Sequence, residues 1–520
     1  MKSPGQGGAA SPGATGVDLR RAICAPAELA DLRGWLVMLC VAVLGFAYLG
    51  TRGLSEPDEG RYSAIAVNML ESGDYLVPRL APDHPHFAKP PLTYWAIAAS
   101  LQTFGRSEWA VRLPGALAYT LTALVVALLG QAFGLRRPMV AAAIWATTLL
   151  PFIAASFMTP DMLLTLFESV AVLGYLHWRE RKPPAALWLM WLSFGAAFMT
   201  KGPPALLPLL AILAFEATRG RDAHARGLFR IAPVLTFGAL ALWWFAYVVA
   251  RDASMWRYFL VDETVNRFAT ATHDRNPGWQ GLFVVYAPVL LVGTLPFGPM
   301  LIWAAARRRR LATERSPAQV HAIPPVFLYV WMAVPFAVFA LAQSRLPLYL
   351  LPLTVPFALL TAAQAENAGI RTATIRNFAL ACAALLLALR FASSFWASEG
   401  DSRALARDLR AAVNLQDYAE ILFVDRYRPA YGLVYYTGRQ VAAVRSAAPG
   451  EAYPRRLCAR LESSAAPLIL VPLDRVDEFT RATASCRFAP LVARGALRRW
   501  ALLAKPAPPA RIAGNGAARP

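Results

Sequence analysis

Asp58 and Glu59 open a short polar run, Ser55-Glu56-Pro57-Asp58-Glu59-Gly60-Arg61-Tyr62, just past the end of an apolar stretch. An acidic pair that starts three residues ahead of an arginine can hold a base beside an anion-binding cation. Taken alone, an Asp-Glu at a helix start reads as a cap on free backbone N–H groups. Its company is cationic, however. Lys89, in His86-Phe87-Ala88-Lys89-Pro90-Pro91, stands on a rigid Pro-Pro corner, and Lys201 sits in Met199-Thr200-Lys201-Gly202-Pro203-Pro204. Arg267 follows in Asn266-Arg267-Phe268, and Arg345 in Ser344-Arg345-Leu346-Pro347-Leu348-Tyr349. A lysine at a membrane surface also serves simply by snorkelling to headgroups. Convergent Lys and Arg make a site for phosphate oxygens, because each donates charge-assisted hydrogen bonds where water is scarce.

Long apolar segments must position these residues. The 520-residue chain is 57% hydrophobic and only 16% charged, whereas a soluble chain carries about a quarter charged residues. Its net charge of +20 sits in short clusters between apolar runs. That placement suits cytoplasmic loops and anionic headgroups and argues against nucleic acid as the partner. Residues 1–32 read as a disordered cytoplasmic tail. Gly34 to Thr51 then runs 18 residues without a charge, nearly enough to cross a ~30 Å core at ~1.5 Å per residue. Ten further stretches follow: Leu113–Leu135, Pro138–Pro160, Met162–Trp178, Pro183–Thr200, Gly202–Thr218, Ile231–Ala250, Asn276–Ala306, Ala322–Ser344, Leu346–Ala365 and Thr374–Ala397.

Pro90 to Gly105 is 16 residues long and begins with two prolines. If it does not cross, Arg136 and Arg137, Arg179 to Lys182, Arg219 to Arg230, Arg307 to Arg310 and Arg371 all face the cytoplasm, as the positive-inside rule wants. We therefore expect a juxtamembrane or re-entrant helix there. This topology gathers Asp58 to Lys89, Thr159 to Asp161, Lys201, Arg251 to Trp279 and Ser344 to Tyr349 on the outer face.

Composition changes after Ala397. Ile421–Val424 and Leu468–Val471 are expected as short buried strands, and Pro429–Thr437 and Arg475–Ala484 as helices, in a small outer α/β domain. Cys458 and Cys486 both fall within it, either bridged in an oxidising compartment or present as two buried thiols. No Cys and His pattern of metal-ligand spacing occurs. Residues 505–520 are rich in Pro, Ala and Gly and read as a disordered tail.

Six motifs occur in a telling order. They are Asp58-Glu59-x-Arg61-Tyr62, Ser72-Gly73-Asp74-Tyr75, Lys89-Pro90-Pro91 with Tyr94-Trp95, Thr159-Pro160-Asp161, Thr200-Lys201-Gly202-Pro203 and Leu346-Pro347-Leu348-Tyr349. Together they resemble the bacterial undecaprenyl-phosphate-sugar (4-amino-4-deoxy-L-arabinose) transferase branch of the protein-mannosyltransferase-like superfamily, over roughly residues 35–500. The resemblance implies an α-helical polytopic GT-C glycosyltransferase of about 11–13 membrane helices in the bacterial inner membrane. With the apolar runs, topology and composition change above, we expect a membrane catalytic domain at 33–397, with an outer loop at 52–112, and a periplasmic α/β domain at 398–504.

Carried onto this sequence, the resemblance implies Asp58 as the essential carboxylate and Asp161 as a second catalytic candidate. Arg61, Lys89, Lys201 and Arg267 would surround the donor phosphate, and Glu59, Tyr62, His86, Arg345 and Tyr349 would line the cavity. The family commonly has Glu before the lysine of Lys-Pro-Pro, where this chain has Ala88, which puts a bound divalent metal in doubt. The implied donor is an undecaprenyl-phosphate-linked sugar and the implied acceptor lipid A or another envelope molecule, with inversion at the anomeric carbon. Two other functions fit an outer polar face: a transporter or flippase of a lipid-linked sugar, and an envelope glycan ligase. A transporter would use repeats and mid-membrane ionisable groups, and here Glu168, Glu216 and Arg390 are the obvious charges in or beside apolar runs.

Overall fold

The computed structural model describes residues 31–82, 84–218, 227–270, 275–311, 326–395, 398–424, 429–444, 452–464, 466–484, 486–488 and 490–505. The two expected tails lie outside the described residues, apart from Asp31, Leu32 and Lys505, as do Arg219, Arg221 and Arg226.

Prolines and glycines set the ends of the central helices. α7 (Pro160–Arg181) and α8 (Pro184–Lys201) each begin on a proline, where the missing N–H is no loss. α8 stops at Gly202, whose φ of +76° favours glycine. The two run antiparallel and close: a methyl on Gly174 of α7 would meet backbone atoms of Ala186 and Met190 of α8 at 2.8 Å. Small residues at such crossings let helices approach without a hydrophobic driving force between them. The close approach brings the first turn of α7, with Asp161, beside the last turn of α8, with Lys201.

Around this pair lie α1 (Leu32–Phe46), α4 (Glu108–Ala132), α5 (Pro138–Thr147), α6 (Leu149–Ala154), α9 (Leu207–Ala217) and helices Ile231–Arg251, Phe297–Leu311, Val326–Leu341, Thr354–Asn367 and Thr372–Ser393. Four helical segments are long and apolar enough to cross a membrane by length and composition: Glu108–Ala132, Ile231–Arg251, Pro347–Asn367 and Thr372–Ser393. The first and third are mostly buried by the protein, whereas the other two bury only 22% of their apolar windows. Leu235 and Leu385, at least 60% exposed, need lipid rather than water around them. The remaining expected spans are shorter, broken or charged. Pro138–Pro160 divides at Thr148, Asn276–Ala306 divides before Phe297, and α7 itself carries Asp161, Glu168 and Arg179.

α2 (Asp58–Ser72) and α3 (Leu92–Phe104) fill the segment between α1 and α4. At 13 residues, α3 reaches ~20 Å, too short to cross. A small hairpin, β1 (Arg79–Ala81) with β2 (His84–Pro85), precedes it.

The C-terminal region folds as a five-stranded sheet. Its strands are β3 (Glu420–Val424), β4 (Gln440–Val444), β5 (Pro467–Pro472), β6 (Val492–Leu497) and β7 (Trp500–Ala504), in the order β4-β3-β5-β7-β6. β3 pairs in parallel with β4 and β5, which is why β3 and β5 are continuous apolar runs buried on both faces. Both expected helices form, as Gly432–Thr437 and Val476–Thr483. Cys458 and Cys486 are bridged, with Cα atoms 5.1 Å apart.

Candidate active site

The acidic pair splits. Glu59, on the inner face of α2, is 1% exposed and accepts from Nε and Nη2 of the equally buried Arg112 at 2.7 and 2.8 Å. It also accepts the backbone N–H groups of Ser55 and Met158. Burial alone would raise its pKa, but Arg112 and these hydrogen bonds outweigh it and hold the carboxyl below its usual range. The remaining Arg112 hydrogens go to the carbonyls of Leu49, Arg52 and Gly53. The expectation that Glu59 lines the cavity is therefore corrected: its oxygens are consumed in tying the polar loop to α4.

Asp58 faces the other way. It is the first residue of α2, whose N-cap is Pro57, and it accepts from Arg61 at 2.6 Å with about half of its side chain exposed. The Arg61 guanidinium lies 5.3 Å from the ring of Tyr62, which packs on Tyr94. Its Nε is buried and has no hydrogen-bond partner. His86 is close enough to Arg61, Lys89 and Arg267 that burial, then these cations, push its pKa down to about 3, so it is neutral at physiological pH.

Beside this group lies a cavity of ≈ 590 Å³. Lys89, Lys201, Arg267, Glu263, Ser344 and Tyr349 supply its polar groups. The rest is apolar, with Phe87, Phe198, Phe245, Val249, Phe259 and Phe339 prominent. Lys201 pairs with Asp161, both being largely buried, and its ammonium lies 4.4 Å from the Tyr349 ring. Arg267 pairs with Glu263 at 2.9 Å, yet its Nε is buried without a partner. Lys89 is only partly exposed; burial first, then Arg267 and other cations, lower its pKa well below that of a free lysine. Buried donors without partners are uncommon in folded proteins, and Arg267, which carries one, lines this cavity.

Lys89, Lys201, Arg267 and Tyr349 thus come together as the sequence predicted, and Asp161 joins them through Lys201. Asp58, Arg61, Tyr62 and His86 form the adjoining polar group and do not line this cavity. Arg345 is corrected: its guanidinium donates to the carbonyls of Asn276, Gly278 and Ala340 and braces the backbone.

Sequence reasoning missed Glu263. Its signal was only the four-residue spacing to Arg267, which on a helix makes a pair. It lies on Tyr258–Asn266, which winds as π-helix, a form often found at functional sites. The loop's partner in the sheet region was missed as well. Glu56 accepts from Ser402 Oγ at 2.6 Å and from the Gly432 N–H at 2.7 Å, and Ser55 bridges to Asp401. Glu56 crosses directly over Gly60, where a methyl would meet its carboxylate at 2.2 Å. Two other motifs resolve into scaffolding. Asp74 accepts the N–H groups of Leu76 and Val77, and Trp95 Nε1 donates to the Tyr75 carbonyl at 2.7 Å.

Ala88 presents a methyl to the cavity, and no group of three or more His, Cys, Asp or Glu placed to hold a metal occurs among the described residues. Among the described residues, the cavity's one lining carboxylate, Glu263, is paired with Arg267, so this donor set does not fit a divalent ion.

Residues 88–249 match the dolichyl-phosphate-mannose-protein mannosyltransferase family. The chain is 33% identical over 349 residues to the undecaprenyl phosphate-alpha-4-amino-4-deoxy-L-arabinose arabinosyl transferase of Pectobacterium carotovorum, covering 64% of this chain and 59% of that protein. It is 31% identical over 334 residues to its counterpart in Pseudomonas aeruginosa strain PAO1, covering 62% and 58%. The chain thus spans less than two thirds of the length of these relatives. In structure it is similar to ArnT from Cupriavidus metallidurans bound to undecaprenyl phosphate, with a TM-score of 0.71 at 19% identity over 91% of this chain and 98% of that one. The apo form of that protein gives 0.67 at 20%, with the same coverage. The fold is that of these two structures, and the similarities in sequence fall on the transferases that the six motifs resemble.

Proposed function

We propose that this relative of the undecaprenyl phosphate-aminoarabinose transferases is itself a membrane glycosyltransferase, one that moves a sugar from undecaprenyl phosphate to lipid A or another cell-envelope acceptor. The observation that carries the reading is the amphiphilic cavity: an apolar shaft suits a polyprenyl chain, and Lys89, Lys201 and Arg267 suit its phosphate. Aminoarabinose is the sugar named for the relatives in sequence, and we carry it over as the donor's sugar.

Chemistry follows from the leaving group. A polyprenyl phosphate departs as an anion that needs no proton, so fixed cations stabilise the charge developing on it. Lys89 and the unpartnered Nε of Arg267 would take its oxygens. Asp161 holds Lys201 in place, and the Tyr349 ring limits where its ammonium can go. Glu263 occupies Arg267 when no donor is bound and yields when phosphate arrives. Asp58 serves the other side of the sugar. For a hydroxyl acceptor it acts as general base; for a lipid A phosphate, already ionised, it orients the nucleophile or offsets positive charge at the anomeric carbon. A single displacement inverts that carbon. No step is routed through a metal.

We read residues 33–397 as the membrane catalytic domain and 398–504 as a periplasmic domain, in a multi-pass protein of the bacterial inner membrane. The clustering of arginines at the end opposite Asp58, together with the Cys458–Cys486 bridge, supports that orientation. Mass spectrometry of lipid A from a strain lacking the gene tests the function. Loss of an aminoarabinose-sized mass that returns with the gene supports it; unchanged lipid A with another envelope glycan unmodified would move the acceptor elsewhere. Accumulation of donor on the inner leaflet alone would favour a flippase.

A further inference from the structure

A second cavity, of ≈ 600 Å³, lies at the other end of the bundle, between α1, α5 and helix Thr372–Ser393. All three helices begin at that end. Chain direction fixes its distance from the first site: α1 runs from Asp31 toward the Asp58 loop, and α5 with α6 runs from Pro138 toward Asp161. The walls are unlike each other along the cavity's length. Arg33, Arg137 and Arg376 line the mouth with Asp31, whereas Val41, Ala143 and Ala383 line the shaft.

Charge at the mouth is predominantly positive. Among the described residues the acidic groups there are Asp31 and Glu366, and Glu366 is already engaged by the backbone N–H groups of Arg136 and Arg137. Arg33 and Arg376 are exposed, and Arg376 donates to the amide oxygen of its neighbour Asn377. The flanks of the shaft are built for lipid. Leu36 is 50% exposed and Leu380 48%, so hydrocarbon outside and hydrocarbon within the cavity are continuous.

We propose that this cavity binds an anionic glycerophospholipid, its headgroup phosphate on Arg33 and Arg376 and one acyl chain along the shaft. A cationic mouth over an apolar shaft between helices, on the arginine-rich side of a membrane protein, selects an anionic amphiphile over a zwitterionic one. The site is independent of the donor cavity and of the transfer reaction. Through α1 and the loop that follows it, the lipid would brace the frame that carries Asp58.

The test uses the purified full-length protein, delipidated in detergent, with equimolar phosphatidylglycerol and phosphatidylcholine as probes. Native mass spectrometry should find one phosphatidylglycerol retained per chain, in preference to phosphatidylcholine. The double variant R33Q/R376Q should lose that preference, with affinity for phosphatidylglycerol weakened about twenty-five-fold, from roughly fivefold per arginine. R33K/R376K should retain it, and keeps the proposal testable if the glutamine variant fails to fold. No preference in the wild type, or an undiminished one in folded R33Q/R376Q, would overturn the proposal. So would displacement of the bound phosphatidylglycerol by stoichiometric undecaprenyl phosphate, which would make the cavity a second carrier site. Equal protection by inorganic phosphate alone would also overturn it, since the shaft would then contribute nothing.

Discussion

Asp58 and Glu59 are neighbours in sequence whose carboxylates point to opposite sides of α2: Glu59 is sealed against Arg112, and Asp58 stands half exposed against Arg61. One carboxylate fixes the frame, and the other is the one we propose to react. The division of labour gives each residue its own expected phenotype.

Glu59→Gln should damage stability first. Removing one charge of a buried, hydrogen-bonded pair leaves Arg112 uncompensated, at a cost of about 3–5 kcal/mol. Thermal unfolding in detergent at pH 7 should register it. The wild type carries the matching pH signature. Because the Glu59 pKa is lower in the folded state than in the unfolded, its contribution is present above the usual carboxylate range and lost as pH falls through the folded value. Glu59→Gln should therefore flatten the loss of stability below about pH 4.5. An acid profile identical to wild type would contradict this.

Gly60→Ala should detach the loop from the sheet region. The added methyl collides with Glu56, which must move off Ser402 and Gly432. Limited proteolysis between Ser394 and Ser402 should accelerate, and transfer should fall although Asp58 is intact. Unchanged proteolysis and transfer would show that this junction does not position the loop.

Lys89 should couple donor binding to protons. Burial and neighbouring cations lower its pKa in the empty cavity, and an incoming phosphate would raise it again. Binding therefore takes up protons, and affinity falls as pH rises through the depressed pKa. Titration calorimetry with undecaprenyl phosphate in buffers of different ionisation heat measures the uptake. Lys89→Met should abolish it and weaken binding.

Glu263→Gln should tighten undecaprenyl phosphate binding several-fold, because Arg267 would no longer be held by a carboxylate that phosphate must displace. Weaker binding by this variant would assign Glu263 a supporting role instead.

Much of the cavity's polar lining was legible because its residues stand at breaks between apolar runs. Lys89, Lys201 and Tyr349 are tied to Pro and Gly corners where helices begin or end, so their depth could be read from the sequence. Glu59 and Arg345 were misjudged for a shared reason. Each has the right type at the right depth, but its partners are Arg112 and backbone carbonyls, and no local pattern records those pairings. The sheet was half legible: β3 and β5 are buried apolar runs, whereas β6 is exposed along nearly its whole length and carries Arg494 and Gly495. Glu56 was invisible as a link because its partners, Ser402 and Gly432, lie more than 340 residues away.

The most direct test of the central claim is transfer by Asp58→Asn. Purified protein is supplied with undecaprenyl phosphate-linked 4-amino-4-deoxy-L-arabinose and lipid A, and donor binding is measured beside product formation. Asparagine matches aspartate in size and serves as well near a helix N-terminus, so the variant should fold as wild type and still bind donor. Loss of its negative charge should lower transfer by roughly 10²–10⁴-fold, the range for a general base. Transfer within a few-fold of wild type by the folded, donor-binding variant would contradict the account and leave Asp58 as a partner of Arg61 alone.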